Sequence, residues 1–174
     1  IYYESDTYKV IESSTFWLSD TPENVSIGWD AALERICTYG LFEHKQSKKR
    51  IWIFNTHFDH MGEIARRKSS ELILQKINDL NSFSGPIILM GDFNSLPNSK
   101  PVYTILKEFK DAFNIALNKP QGPKGTYNGF NEEQPIEKRI DYIYLKNIDV
   151  LNHEHLDDRL ENNNHISDHL PVMV

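Results

Sequence analysis

Gly85-Pro86-Ile87-Ile88-Leu89-Met90-Gly91-Asp92-Phe93-Asn94 is the stretch on which the reading of this chain turns. A Gly-Pro turn opens a run of large apolar residues, and the run ends in an acid and an amide two residues apart. An apolar run between turn signals reads as a strand buried on both faces. Residues two apart on an extended chain point the same way, so Asp92 and Asn94 face one spot. In α/β sheets that spot, beyond the carboxyl end of a strand, is where ligands bind. Gly91 to Asn94 equally suit an Asx turn that closes a strand.

Other stretches repeat the pattern. Ile51-Trp52-Ile53-Phe54 runs into Asn55-Thr56-His57-Phe58-Asp59-His60, again an apolar strand ending in titratable groups. Two histidines and an acid so close together suit metal ligation or proton handling. Arg139 to Leu145 reads as a strand with Asp141 among large apolar residues, a costly place for a carboxylate unless it is hydrogen-bonded. A buried histidine would satisfy it. Asp168 and His169 precede the last apolar stretch, Leu170 to Val174. His57, Asp92 with Asn94, Asp141, and Asp168 with His169 therefore converge. No cysteine lies near them, and no serine sits in a nucleophile elbow. Carboxylates, an amide and imidazoles suit a hard divalent ion and the activation of water, which points to a metal-assisted hydrolase.

The rest of the chain supplies scaffold. Tyr2 to Trp17 reads as a hairpin, with strands near 1–4 and 8–12 about a turn at Ser5-Asp6. Ile36 to Glu43 and Arg50 to Phe58 read as strands. The basic run from Lys45 to Arg50 between them suits a solvated hairpin tip better than a phosphate patch. Gly62 to Asn81 is the clearest helix, with an apolar stripe through Ile64, Ala65, Leu72, Ile77 and Leu80. A second helix is expected from about Pro97 to Phe109, with Pro101 in its first turn. A short element follows at Asp111, and a further strand spans Val150 to His155. Arg66, Trp29 and Tyr127 are the candidate substrate contacts. Arg66 lies one turn beyond the Asp59-His60 corner, and Trp29 stands beside Asp30. Tyr127 sits in Gly125-Thr126-Tyr127-Asn128-Gly129-Phe130, which gathers a hydroxyl and two aromatics. Trp29 also suits a core position, given how much area an indole buries.

The chain has 174 residues, 39% hydrophobic and 25% charged, which suits one domain with a substantial core and no membrane span. Its net charge of −6 argues against tight nonspecific binding to nucleic acid, but not against transient cleavage of one. Cys37 is the only cysteine, so no internal disulfide forms and the compartment cannot be read.

Asn55-Thr56-His57, Gly91-Asp92-Phe93-Asn94, Arg139-Ile140-Asp141-Tyr142 and Ser167-Asp168-His169, in that order, resemble the endonuclease/exonuclease/phosphatase superfamily. Phe16-Trp17-Leu18-Ser19, Gly28-Trp29-Asp30 and Gly125 to Phe130 are most similar to a bacterial branch of it. The resemblance spans nearly the whole chain. It implies a four-layer α/β sandwich of two packed mixed sheets flanked by helices, in a single domain over 1–174. It implies Mg²⁺ as cofactor, with Mn²⁺ as the alternative, and a phosphate ester as substrate.

By resemblance, Asp92 orients or deprotonates the attacking water, and Asn94 holds that water or a phosphate oxygen. His57 and His169 steady the phosphate, and Asp141 orients one of these histidines. Asp168, with Asp92 nearby, holds the metal. The resemblance also implies an upstream strand carrying an Asn and an upstream Glu that ligates the ion, and neither has a match here. The expectation is that the chain lacks the N-terminal part of the first sheet. Alone, it would then dissolve poorly, self-associate or need an upstream segment, and hydrolyse little. A Mg²⁺-dependent phosphodiesterase or phosphatase, and a noncatalytic phosphate- or nucleic-acid-binding member, are the two function classes left open.

Overall fold

Trp52, Phe54 and Thr56 are buried, while Ile51, Ile53 and Asn55 between them are half-buried, so this strand has one closed face and one more open face. The computed structural model describes residues 1–81 and 85–174. Its elements are β1 (Tyr8–Trp17), β2 (Ile36–His44), β3 (Arg50–His57), α1 (Glu63–Leu80), β4 (Ile87–Asp92), α2 (Lys100–Leu106), β5 (Lys110–Asp111), α3 (Ala112–Ile115), β6 (Asp141–Lys146), β7 (Glu154–His155) and β8 (Val172–Met173). A six-stranded sheet runs β1-β2-β3-β4-β6-β5, and β7-β8 form a second, small sheet. β3 and β4 pair in parallel, and the other neighbours are antiparallel. This is the expected mixed α/β fold with two sheets. No helix among the described residues is long and apolar enough to cross a membrane.

The main core lies under α1 and α2. Trp52, Phe54, Ile87, Leu89, Tyr142 and Tyr144 from the sheet meet Ile73, Ile77, Val102 and Ile105 from the helices. Ile73 and Ile77 are 0% exposed, and burying each stabilises the fold by about 1.5–3 kcal/mol. Ala65, Ser69, Ile73 and Ile77 recur every fourth residue along the buried face of α1. That face is rotated from the expected stripe, since Ile64 is exposed and Leu72 only half-buried. Gly62, at the N-cap of α1, has no side chain to offer. Asp30 caps the helix from a distance, accepting from Ile64 N at 3.2 Å and Ala65 N at 2.6 Å.

Several expectations change. Ile87 and Leu89 are fully buried, but Ile88 and Met90 are only half-buried, so β4 is not closed on both faces. The N-terminal hairpin does not form. Residues 1–4 have no ladder, and β1 pairs with β2 from Tyr8↔His44 to Trp17↔Ile36, with a register shift between Val10 and Glu12. Pairing with a central strand overrides the polar character of Ser13-Ser14-Thr15. The strand expected over Val150 to His155 shrinks to Glu154–His155. There the carbonyls of Val150, Leu151 and His153 accept from Leu117, Asn118 and Gln121 in an irregular loop instead of a strand. The basic run is an exposed turn between β2 and β3, as expected.

Candidate active site

The site is assembled by strand register. In the parallel β3–β4 ladder His57 lies opposite Asp92, and in the antiparallel β4–β6 ladder Asp92 lies opposite Asp141. Three adjacent strands thus place an imidazole and two carboxylates side by side at one end of the sheet. Gly91 makes this possible. Its φ is +141°, and a Cβ there would sit 1.9 Å from Thr56 O, so only glycine lets β3 approach. Beyond β4 the chain turns sharply. Asn94 takes a left-handed φ of 44°, which Asn tolerates, and its N donates to Asp92 Oδ1 at 2.7 Å. Its Nδ2 donates to Phe58 O at 3.0 Å and to Asp92 Oδ2 at 3.2 Å. The Asx turn and the functional constellation are therefore the same object.

His169 arrives from the C-terminal segment. Its Nδ1 donates to Asp141 Oδ2 at 2.8 Å, which leaves Nε2 4.0 Å from Asp92 Oδ2. His57 Nε2 stands 3.2 Å from the same oxygen. Asp92 is therefore flanked by two imidazoles, and one of these is backed by a second carboxylate. Burial pushes the Asp141 carboxyl above its usual range, against bonds from Thr126 and His169 that lower it. Burial also disfavours charge on His169, but the bond to Asp141 and the charges of Asp141, Asp92 and Asp168 outweigh it. The net effect raises the His169 pKa above the ordinary imidazole value. Asp141 thus orients His169, settling which histidine it serves.

His57, Asp92, Asn94 and His169 line a cleft of about 580 Å³ together with Arg35, His60, Leu96, Tyr127, Lys138 and Asp168, while Asp141 stands behind His169 and outside its lining. The Tyr127 ring packs edge-on to His169 with centroids 5.1 Å apart. Asp92, Asp141 and His169 offer ligand atoms within 4.8 Å of one another. His169 Nδ1 and Asp141 Oδ2 are spent on each other, however, so this trio is a hydrogen-bonded chain first. Asp92 and Asp168 both line the cleft with carboxylate oxygens, hard donors of the kind a divalent ion takes.

Two expected substrate contacts lie elsewhere. Arg66 Nη1 donates to Asp59 O at 3.0 Å and ties the corner before α1. Trp29 Nε1 donates to Asp20 Oδ1 at 2.8 Å, in a hollow beside α1 lined by Lys68, Glu71 and Lys76. Asp59 is structural too. It is 1% exposed, and its oxygens accept from the backbone N–H groups of Ala32, Leu33, Met61 and Gly62. Burial pushes this carboxyl up, but those donors prevail and bring its pKa from 3.8 to about 2. The unfolded chain binds the proton first. The ionised form therefore stabilises the fold above about pH 4, by about 2 kcal/mol, and this is lost as pH falls toward 2. Melting temperatures of wild type and Asp59→Asn across that range check it. The wild type should fall more steeply, and parallel curves would refute the assignment.

Arg35 and Lys138 escaped the sequence reading. Arg35 Nη2 donates to His60 Nδ1 at 3.2 Å, and Lys138 Nζ lies 5.8 Å from the Tyr127 ring centre. No local pattern marks them, because their long side chains reach the cleft from positions outside the strands and distant in sequence. Arg139 falls inside the strand expected over Arg139 to Leu145 but lies just before β6. It is buried, and its Nη2 donates to Asp111 Oδ2 at 2.7 Å.

The sheet topology and the groups gathered at its strand ends define a hydrolase fold. The chain belongs to the endonuclease/exonuclease/phosphatase family, whose profile matches residues 7–169. A structure of a family protein from Bacteroides vulgatus is 36% identical with a TM-score of 0.89, covering 98% of this chain and 66% of that one. A Bacteroides thetaiotaomicron mannosyl-6-phosphatase is 32% identical with a TM-score of 0.91, covering 98% of this chain and 67% of its own. An uncharacterized protein of Acanthamoeba polyphaga mimivirus is 33% identical, covering 95% of this chain and 66% of its own. The chain thus spans about two thirds of the length of such relatives.

Proposed function

We propose that this chain forms the catalytic part of a divalent-metal-dependent hydrolase that cleaves a phosphate ester with an activated water. The observation that carries this reading is Asp92 set between two imidazoles, with His169 held in turn by Asp141. Asp92 accepts a proton from the attacking water. Asn94 positions that water or a phosphate oxygen. His57 and His169 Nε2 donate to the phosphate and stabilise the charge that builds on it, the usual demand of phosphoryl transfer. The bond to Asp141 fixes the His169 tautomer and ring plane. Asp168 and Asp92 would hold Mg²⁺ or Mn²⁺, which neutralises phosphate charge when bound. Lys138 and Arg35 add positive charge to the same cleft.

The net charge of −6 and the likeness to a mannosyl-6-phosphatase support a small phosphate ester over a nucleic acid. The test uses the whole protein that carries this chain. p-Nitrophenyl phosphate, bis-p-nitrophenyl phosphate, sugar phosphates and oligonucleotides are assayed with Mg²⁺, with Mn²⁺ and with EDTA. Metal-dependent release that EDTA abolishes is expected, fastest on the small esters. Phosphate binding without turnover on any substrate would instead favour the noncatalytic, phosphate-binding reading.

A further inference from the structure

His169 and Asp141 lie 28 residues apart, Asp141 opening β6 of the large sheet and His169 on the segment that leads into β8 of the small one, yet they meet at 2.8 Å. Something must hold the two segments in register. The segment Thr126–Asn128 runs between them and bonds to both. On the β6 side, Thr126 N donates to Lys138 O at 2.8 Å and Tyr127 N donates to the same carbonyl at 3.0 Å. On the C-terminal side, Leu170 N donates to Thr126 O at 2.7 Å, and Asn128 N donates to Asp168 O at 2.9 Å. Asn128 adds its side chain, with Nδ2 donating to Ser167 O at 2.9 Å and Oδ1 accepting from Phe130 N at 2.7 Å.

The Thr126 side chain is 0% exposed and touches the pair itself. Its hydroxyl oxygen accepts from Ile140 N and Asp141 N, each at 3.1 Å. A hydroxyl has two lone pairs and one proton. With both lone pairs engaged by these two amides, Thr126 fixes the backbone from which the Asp141 carboxylate projects. That carboxylate in turn accepts from His169 Nδ1 at 2.8 Å, so the pair inherits the placement that Thr126 sets.

We infer that Thr126 and Asn128 are positioning residues for the proposed hydrolysis, setting the Asp141–His169 pair so that His169 Nε2 faces the reacting phosphate. The inference rests on the proposed function, which supplies the role of His169. Neither residue needs to touch substrate. Their loss should therefore lower kcat and leave KM nearly unchanged, since misplacing a catalytic group costs rate first.

The experiment compares Thr126→Val, Thr126→Ser, Asn128→Ala and His169→Ala in the whole protein, with p-nitrophenyl phosphate as probe. Thr126→Val keeps the shape and removes the hydroxyl, and should lower kcat by about 10–100-fold with KM within a few-fold of wild type. Thr126→Ser keeps the hydroxyl and should return most of the rate. The low-field proton resonance of His169 Nδ1, expected from its bond to Asp141, should persist in the Ser variant and shift or vanish in the Val variant. Asn128→Ala, which frees Ser167 without opening the core, should also lower kcat selectively. It decides the matter if Thr126→Val does not fold. A folded Thr126→Val or Asn128→Ala with wild-type kcat would overturn the inference for that residue, as would a fall in KM-linked binding alone. His169→Ala separates the two levels. If it keeps wild-type turnover, the proposed function fails. If it loses turnover while the Thr126 and Asn128 variants do not, only the positioning role fails.

Discussion

Asp92→Asn should lower phosphate-ester hydrolysis by about 10²–10⁴-fold, the usual worth of a general base, without unfolding the protein. Asparagine keeps the shape of the side chain and one oxygen, so the Asn94 N–H bonded to Asp92 Oδ1 keeps its partner. What disappears is the negative charge between His57 and His169. In the proposed mechanism that charge takes the proton of the attacking water and, with Asp168, would hold the metal. The kcat of the purified variant, beside its melting temperature, is the readout. A folded Asp92→Asn enzyme with near-normal turnover would remove Asp92 from the mechanism.

The second large effect is on stability. Arg139→Ala should destabilise the fold by about 3–5 kcal/mol, because it strands a buried carboxylate. The Arg139 guanidinium lies between the rings of Phe113 and Tyr142, at 4.7 and 4.5 Å from their centres. Asp111, 3% exposed, also caps the short α3 by accepting from Phe113 N at 3.1 Å. The pair therefore ties the start of β6, where Asp141 sits, to β5 and α3. Chemical denaturation of Arg139→Ala, and of an Arg139→Met/Asp111→Leu double variant, tests this. The double variant should regain much of the loss, because no buried charge is left alone. If Arg139→Ala unfolds at the wild-type midpoint, the pair contributes nothing to the fold.

The candidate site was legible because its members sit where the hydrophobic pattern breaks. His57, Asp92, Asp141 and His169 each follow, open or adjoin an apolar run, and a polar residue there needs a reason. The reading did not extend to pairing. That His57, Asp92 and Asp141 stand side by side follows from register, which turns on long-range ladders and on Gly91, not on local pattern. Arg66 and Trp29 misled because short-range neighbourhood was taken for orientation. Arg66 is one turn from the Asp59-His60 corner but satisfies the corner's own carbonyl. Asp59 looked like a ligand and is a loop tie, since four backbone donors close on it. Conversely, Thr126 stood out as a hydroxyl beside aromatics, but its link to Asp141 appears only once β6 is placed. The strand expected over Val150 to His155 shrinks because sequence pattern does not show that a neighbouring loop takes the carbonyls of Val150, Leu151 and His153.

A crystal structure of the whole protein with Mn²⁺ and inorganic phosphate tests the central claim most directly. An anomalous manganese peak against Asp92 and Asp168 is expected. Phosphate is also expected in the same cleft within hydrogen-bonding distance of His57, Asn94 and His169 Nε2. Manganese bound away from these carboxylates, or phosphate held outside the cleft, would contradict the claim.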